Sequence, residues 1–235
     1  MPGPRRRSVL IARLAGEHHR DSSQAAILAE LRRCLLDGGV PPGSAIPLEE
    51  VAAVFGVSVI PVRESLKTLI GEGLVEHRPN LGYTVAKLTP AELREMYLVR
   101  EVLETAALTA AVQAADAAAD EAVREAHGAM EKAVRDGDAT AYHRESRRFH
   151  LALVTPCGMR RLLGMFESAW NITEPLQSMT HLTAAERGAL QRDHDEILAA
   201  FLARDTDALL AAARAHHGGL RRALDSLPSD TGLFA

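Results

Sequence analysis

The sequence predicts a mainly α protein: an N-terminal winged helix-turn-helix followed by a C-terminal all-α antiparallel helical bundle. Three observations predict it. Alanine and arginine are heavily used while aromatics make up only 4% of the chain, which favours helix over sheet. The stretch Gly56 to Gly73, GVSVIPVRESLKTLIGEG, reads as the second helix of a helix-turn-helix. From Thr89 onward, capped helical patterns follow one another with short links and no strand signal.

The order of elements justifies each assignment. Ser22 or Ser23 opens a first helix, QAAILAELRRCLL, with Ile27, Leu28, Leu31 and Leu35 on one face, and Asp37-Gly38-Gly39 ends it. A short helix over Leu48 to Phe55 leads through the Gly56-Val57 turn into the next. There Ser58 is placed to cap, Pro61 tolerates the first turn, and Val62, Leu66, Leu69 and Ile70 form an apolar stripe. Arg63 and Lys67, four apart, share another face. Val75 to Arg78 and Tyr83 to Lys87 read as strands joined by Pro79-Asn80-Leu81-Gly82. Such a second helix is the one that enters the DNA major groove.

Six helices are predicted in the second half. Thr89-Pro90-Ala91-Glu92 is a capping box opening a long helix to about Ala115, with Met96, Val99, Leu103 and Ala107 inward. Further helices run over Ala118 to Arg135, from the Asp138 cap to Thr155, and from Arg160 to about Met179 with a kink at Pro175. Another capping box, Thr183 to Glu186, opens a fifth to Ala203, and Asp205 caps a sixth to Leu227. The predicted division is a flexible tail 1–21, a winged helix-turn-helix 22–88, a helical domain 89–227 and a frayed tail 228–235. Residues 1–21 carry Arg5-Arg6-Arg7 and read as a flexible lead-in or a basic arm touching DNA.

Charge is uneven: residues 1–88 hold 11 Lys and Arg against 9 Asp and Glu, and the remainder 16 against 22. A mildly basic front and acidic rear fit two parts with different partners. Cys34 and Cys157 lack metal-ligand spacing and read as reduced packing residues, which points to the cytoplasm. No apolar run approaches membrane-spanning length, and Arg13 interrupts the first one.

His150, His194 and His216 fall on three predicted helices. Spacing alone leaves them as exposed or hydrogen-bonded core histidines, or as ligands gathered in a bundle core. Arg100 reads by spacing as a surface ion pair with Glu104, at i, i+4. Trp170 reads as core before pocket wall.

With these residues in place, the chain resembles the GntR family of bacterial transcription regulators. The resemblance rests on GVSVIPVRESL, EGLV and RPNLG in the front half, and on YLVREVLE, RRFH, HDEILAAFLARD and LLAAARAHH in the back half. The latter are similar to the FCD effector domain of the FadR-type branch. The resemblance implies a ligand-responsive, DNA-binding homodimer in the cytoplasm, associated with the nucleoid when bound, on an inverted-repeat operator in double-stranded DNA. It implies Ser58, Arg63, Lys67, Arg78, Asn80 and Gly82 as DNA-binding residues. It implies a divalent metal held by His150, His194 and His216, with a small carboxylate effector near Arg100 and Ser146. No catalytic residues and no membrane partner are expected.

Departures from the family pattern accompany the resemblance. Val59 and Ile60 stand where arginine and threonine are usual, and Leu81 where a wing arginine is usual. Arginine to guanine is the commonest specific base contact, so a different operator is expected. Ser146 occupies the aspartate position of the family's metal site, and His143 lies one further turn back. Three imidazoles without a carboxylate favour zinc over harder ions such as manganese. Two rival readings remain: a sensing or dimerising protein whose winged helix no longer reads DNA, motivated by Val59 and Ile60, and a metal-dependent hydrolase. The latter lacks any HExxH-like pair.

Overall fold

The structure is a computed structural model that describes residues 8–15, 23–79, 81–225 and 234. It divides into two compact units. One comprises Met1–Thr89, Asn171–Leu176 and Ser229–Ala235, the other Pro90–Trp170 and Gln177–Pro228. The inclusion of two later segments in the first unit is not foreseen by a contiguous division of the chain.

In the first unit, α1 (Val9–Leu14) buries Leu10, Ile11 and Leu14. This corrects the expected flexible tail over Ser8–Ala15: three apolar side chains in six residues suffice to dock one short turn of helix, and the Ser8 hydroxyl donates to the Ala45 carbonyl at 3.0 Å. Helix α2 (Gln24–Leu36) starts where Ser23 accepts from the Ala26 N–H. It packs on α4 (Val59–Gly71), and α3 (Leu48–Phe55) precedes the turn at Gly56, whose φ of +66° is the left-handed conformation glycine adopts freely. Val62, Leu66 and Leu69 of α4 are buried with Ile27, Leu31 and Leu35 of α2, whereas Ile70 is 37% exposed, one residue off the stripe. Arg32 of α2 makes a two-point ion pair with Glu72 at the end of α4.

The wing is a three-stranded antiparallel sheet of order β1-β3-β2: β1 (Ala45–Ile46), β2 (Val75–Arg78) and β3 (Gly82–Val85). Its register pairs Val75 with Val85, Arg78 with Gly82, and Ile46 with Tyr83. The two-residue β1 is too short to leave a period-2 signature in the sequence. Of the tail expected to fray, Phe234 alone is among the described residues, and it bridges to Leu88.

The second unit contains α5 (Pro90–Ala114), α6 (Ala117–Asp136), α7 (Ala139–Val154), most of α8 (Arg160–Thr173), α9 (Ala184–Ala203) and α10 (Thr206–Asp225). Gly137–Asp138 and Arg204–Asp205 link α6 to α7 and α9 to α10, links short enough to force helical hairpins. Asp138 and Thr183 cap as expected, the latter in a full capping box. Helix α8 stops at Thr173 instead of continuing kinked to Met179. Pro175 cannot donate to the ladder and crowds the turn before it, so two 3-10 turns, Glu174–Leu176 and Ser178–His181, replace the helix. The inner face of α5 is Leu93, Tyr97, Arg100, Glu104, Ala107 and Leu108, not the Met96, Val99 and Leu103 series. Two charged residues sit on the buried face, so apolar periodicity alone misplaces it.

Candidate functional site

Five helices of the bundle converge on one cavity. Helix α5 contributes Arg100 and Glu104, one turn apart. Helix α7 contributes Tyr142, His143, Ser146 and His150, at the spacing of one face. Trp170 comes from α8, His194 from α9, and His216 and His217 from α10. The cavity itself is lined by Arg100, His143, Ser146, His150, Trp170, His194 and His216, among others, and encloses about 10 Å³.

His150, His194 and His216 are each at most 2% exposed, and a nitrogen from each lies within 4.8 Å of the other two. The Nε2 atoms of His150 and His194 face one another at 3.2 Å. Glu104 Oε1 lies 2.5 Å from His150 Nδ1, and its Oε2 lies 2.8 Å from His217 Nε2. A carboxylate only accepts, so His150 donates from Nδ1 and turns its Nε2 towards the cavity. Burial alone would raise the Glu104 pKa. Attraction to His150 and hydrogen bonds from His150 and His217 outweigh it, holding the carboxyl well below the usual range.

The other two imidazoles are held neutral. Burial, then repulsion by the surrounding imidazoles, pushes His194 well below the ordinary histidine range. Burial brings His216 down to about 4, against the opposing pull of Asp193, whose Oδ2 lies 3.6 Å from Nδ1. The Tyr142 hydroxyl stands 3.4 Å from His194 Nδ1, and burial pushes its own pKa up, so it keeps its proton. Imidazole nitrogens gathered this closely are what a divalent ion requires, and Glu104 behind His150 is the carboxylate that orients such a ligand. The residues present fit a metal.

Arg100 is not a surface residue. It is 3% exposed, with its guanidinium carbon 3.2 Å from the Trp170 ring centroid and 4.5 Å from that of Tyr97. The surface pair with Glu104 is therefore set aside: Glu104, 2% exposed, faces the imidazoles. Trp170 is both core and cavity wall. Ser146 and His143 line the cavity as the one-face spacing of α7 predicts. Sequence reasoning missed Glu104, His217 and Tyr142. The His216-His217 doublet and the turn spacing of Arg100 and Glu104 were the available signals.

On the first unit, Arg63 and Lys67 are exposed on α4, and Lys67 pairs with Glu64 at 2.8 Å. Ser58 stands at the N-cap without a side-chain cap hydrogen bond, contrary to the expected capping role; the backbone turn suffices to start the helix. Arg78 pairs with Glu76 at 3.0 Å on β2, and Gly82 opens β3 with φ +80°. Asn80 lies outside the described residues. Ile60 and Leu81 are 64% and 72% exposed, unusual for large apolar side chains.

Residues 23–85 match the profile described as bacterial regulatory proteins, gntR family, and residues 95–218 match the FCD domain. An uncharacterized HTH-type transcriptional regulator in an unstable DNA locus of Streptomyces ambofaciens is 30% identical over 210 residues, covering 86% of this chain and 83% of that protein. The HTH-type transcriptional regulator McbR of Escherichia coli is 28% identical over 182 residues, covering 76% and 81%. A putative GntR regulator from Rhodococcus sp. RHA1 superimposes with a TM-score of 0.77 at 24% identity, covering 87% of this chain and 99% of that one, which speaks for the fold. The chain thus belongs to the GntR family, in the branch with a C-terminal FCD domain, and is a transcription regulator and not an enzyme.

Proposed function

We propose that this regulator binds an inverted-repeat operator as a homodimer, and that its helical domain senses a small carboxylate beside a divalent metal held by His150, His194 and His216. The observation that carries the sensing half is the convergence of three buried imidazoles and the buried Arg100 on one cavity. His150, His194 and His216 would hold the ion, which would supply a Lewis-acidic anchor for a carboxylate oxygen. Three nitrogen ligands and a neutral Ser146 in place of a carboxylate favour zinc. Arg100, its guanidinium carbon 3.2 Å from the Trp170 ring centroid, carries the fork of donors that grips a carboxylate at two points. Ligand alters operator affinity only by binding the DNA-competent and incompetent arrangements unequally.

On the DNA side, α4 is the groove-entering helix, with Arg63 placed for a base edge and Lys67, Ser58, Arg78, Asn80 and Gly82 for the backbone or wing contacts. A two-fold dimer presents two such helices, hence an inverted repeat. As a DNA-binding regulator the protein would act in the cytoplasm. Among the described residues no helix is long and apolar enough to cross a membrane.

Elemental analysis of the purified chain tests the sensing half. About one ion per chain is expected at the triad, and His194→Ala should lose it while retaining the helical circular-dichroism spectrum. A His194→Ala protein with unchanged content of every metal would overturn the reading.

A further inference from the structure

A second group of donors lies outside the cavity, on the contact between α6 and α9. His127 and Glu131 stand one turn apart on α6, and Gln191 and Asp195 one turn apart on α9. His127 is 8% exposed, and its Nε2 lies 2.8 Å from Asp195 Oδ1 and 3.1 Å from Gln191 Nε2. A nitrogen of His127 and carboxylate oxygens of Glu131 and Asp195 lie within 4.8 Å of one another. Gln191 is 7% exposed, and its Oε1 has no hydrogen-bond partner. The Phe149 ring separates this group from the triad, with centroids 5.9 Å from His127 and 5.2 Å from His194.

Hydrogen bonding alone does not satisfy these atoms. His127 Nε2 either donates to Asp195 or accepts from the Gln191 amide; one nitrogen cannot do both. Turning the amide by 180° brings its oxygen to His127 but strands its nitrogen instead, and sets two acceptors 3.3 Å apart at Asp195. A buried amide atom without a partner is costly. A cation facing lone pairs from His127 Nε2, Asp195, Glu131 and the Gln191 oxygen would remove the conflict. We propose that His127, Glu131 and Asp195, with Gln191 as a fourth donor, form a second site for a divalent first-row transition ion on the α6–α9 surface. One imidazole with two carboxylates suits manganese, cobalt, nickel or zinc over magnesium or calcium, which take oxygen alone. Asp195 and Glu131 reach solvent, so water completes the shell and exchange is faster than at the buried triad.

This site does not depend on the triad holding metal, and its test separates the two. The full chain is stripped with chelator and titrated with Co²⁺ by calorimetry, with bound cobalt counted after gel filtration. Wild type should bind two ions per chain. Glu131→Gln, at an exposed position, should weaken one of them by about tenfold or more, because ligand charge governs affinity. His194→Ala/His216→Ala should lose the other and keep the Glu131-dependent one. If wild type binds a single ion that Glu131→Gln removes and the histidine double variant retains, the second site stands and the triad reading fails. If Glu131→Gln leaves every cobalt affinity unchanged, the second site is refuted.

Discussion

Glu104 is a buried carboxylate whose two oxygens face His150 and His217. Its charge makes His150 a better electron donor at Nε2 and fixes which nitrogen carries the proton. Glu104→Gln preserves shape and an accepting oxygen but removes the charge. Affinity of the triad for zinc should fall by about 10–100-fold, read by competition with a chromophoric chelator. Unchanged affinity would leave Glu104 a packing role only. Ile60 poses the opposite case, a bare hydrocarbon at the start of α4, the helix proposed to enter the groove. It has no hydrogen bond to offer a base, and the apolar feature of the major groove is the thymine methyl. Each such contact is worth about 0.8 kcal/mol, about fourfold in affinity. A selected operator should therefore bind less tightly when its thymines are replaced by deoxyuracil. Ile60→Ala should abolish that difference; if it persists, the methyl is read elsewhere.

At the scale of elements, the turn between α3 and α4 gives a clean measure of backbone strain. A Cβ added at Gly56 would meet nothing within 4 Å, so Gly56→Ala should cost only the left-handed conformation, about 1 kcal/mol. Urea denaturation followed by circular dichroism would read it as a lower midpoint with an unchanged slope. Elements with caps and glycine stops were legible in the sequence: α2, α3, α6, α7 and α9 start or stop where Ser23, Gly56, Gly137, Asp138 and Thr183 dictate. Helix α1 was not, because its support comes from residues distant in sequence, and neither was the buried face of α5. There Arg100 and Glu104 replace apolar side chains, since the site and not the core decides those positions.

For the molecule as a whole, the site was half legible. Three histidines on separate helices were visible in the sequence, but their convergence is a tertiary fact, and Glu104 and His217 acquire roles only through it. Burying that many imidazoles has a pH signature. His194 and His216 have native pKa values below the ordinary value near 6.5, so between that value and about 4 the unfolded chain binds more protons than the native one. Stability of the metal-free protein should be fully present above about pH 7 and decline as pH falls through this window. His216 alone accounts for about 3 kcal/mol. Glu104, with its pKa lowered, adds a loss only in more acid solution. Chelator-treated protein compared at pH 7.5, 6 and 4.5 by urea denaturation checks the trend. Finally, the 10 Å³ enclosed by the cavity is about one water molecule's worth of room, far below the bulk of any organic acid. Capture of the acid proposed above would therefore wait for the wall to part, so that its arrival is gated by the protein's own breathing. Its observed rate would level off at high concentration instead of climbing in proportion.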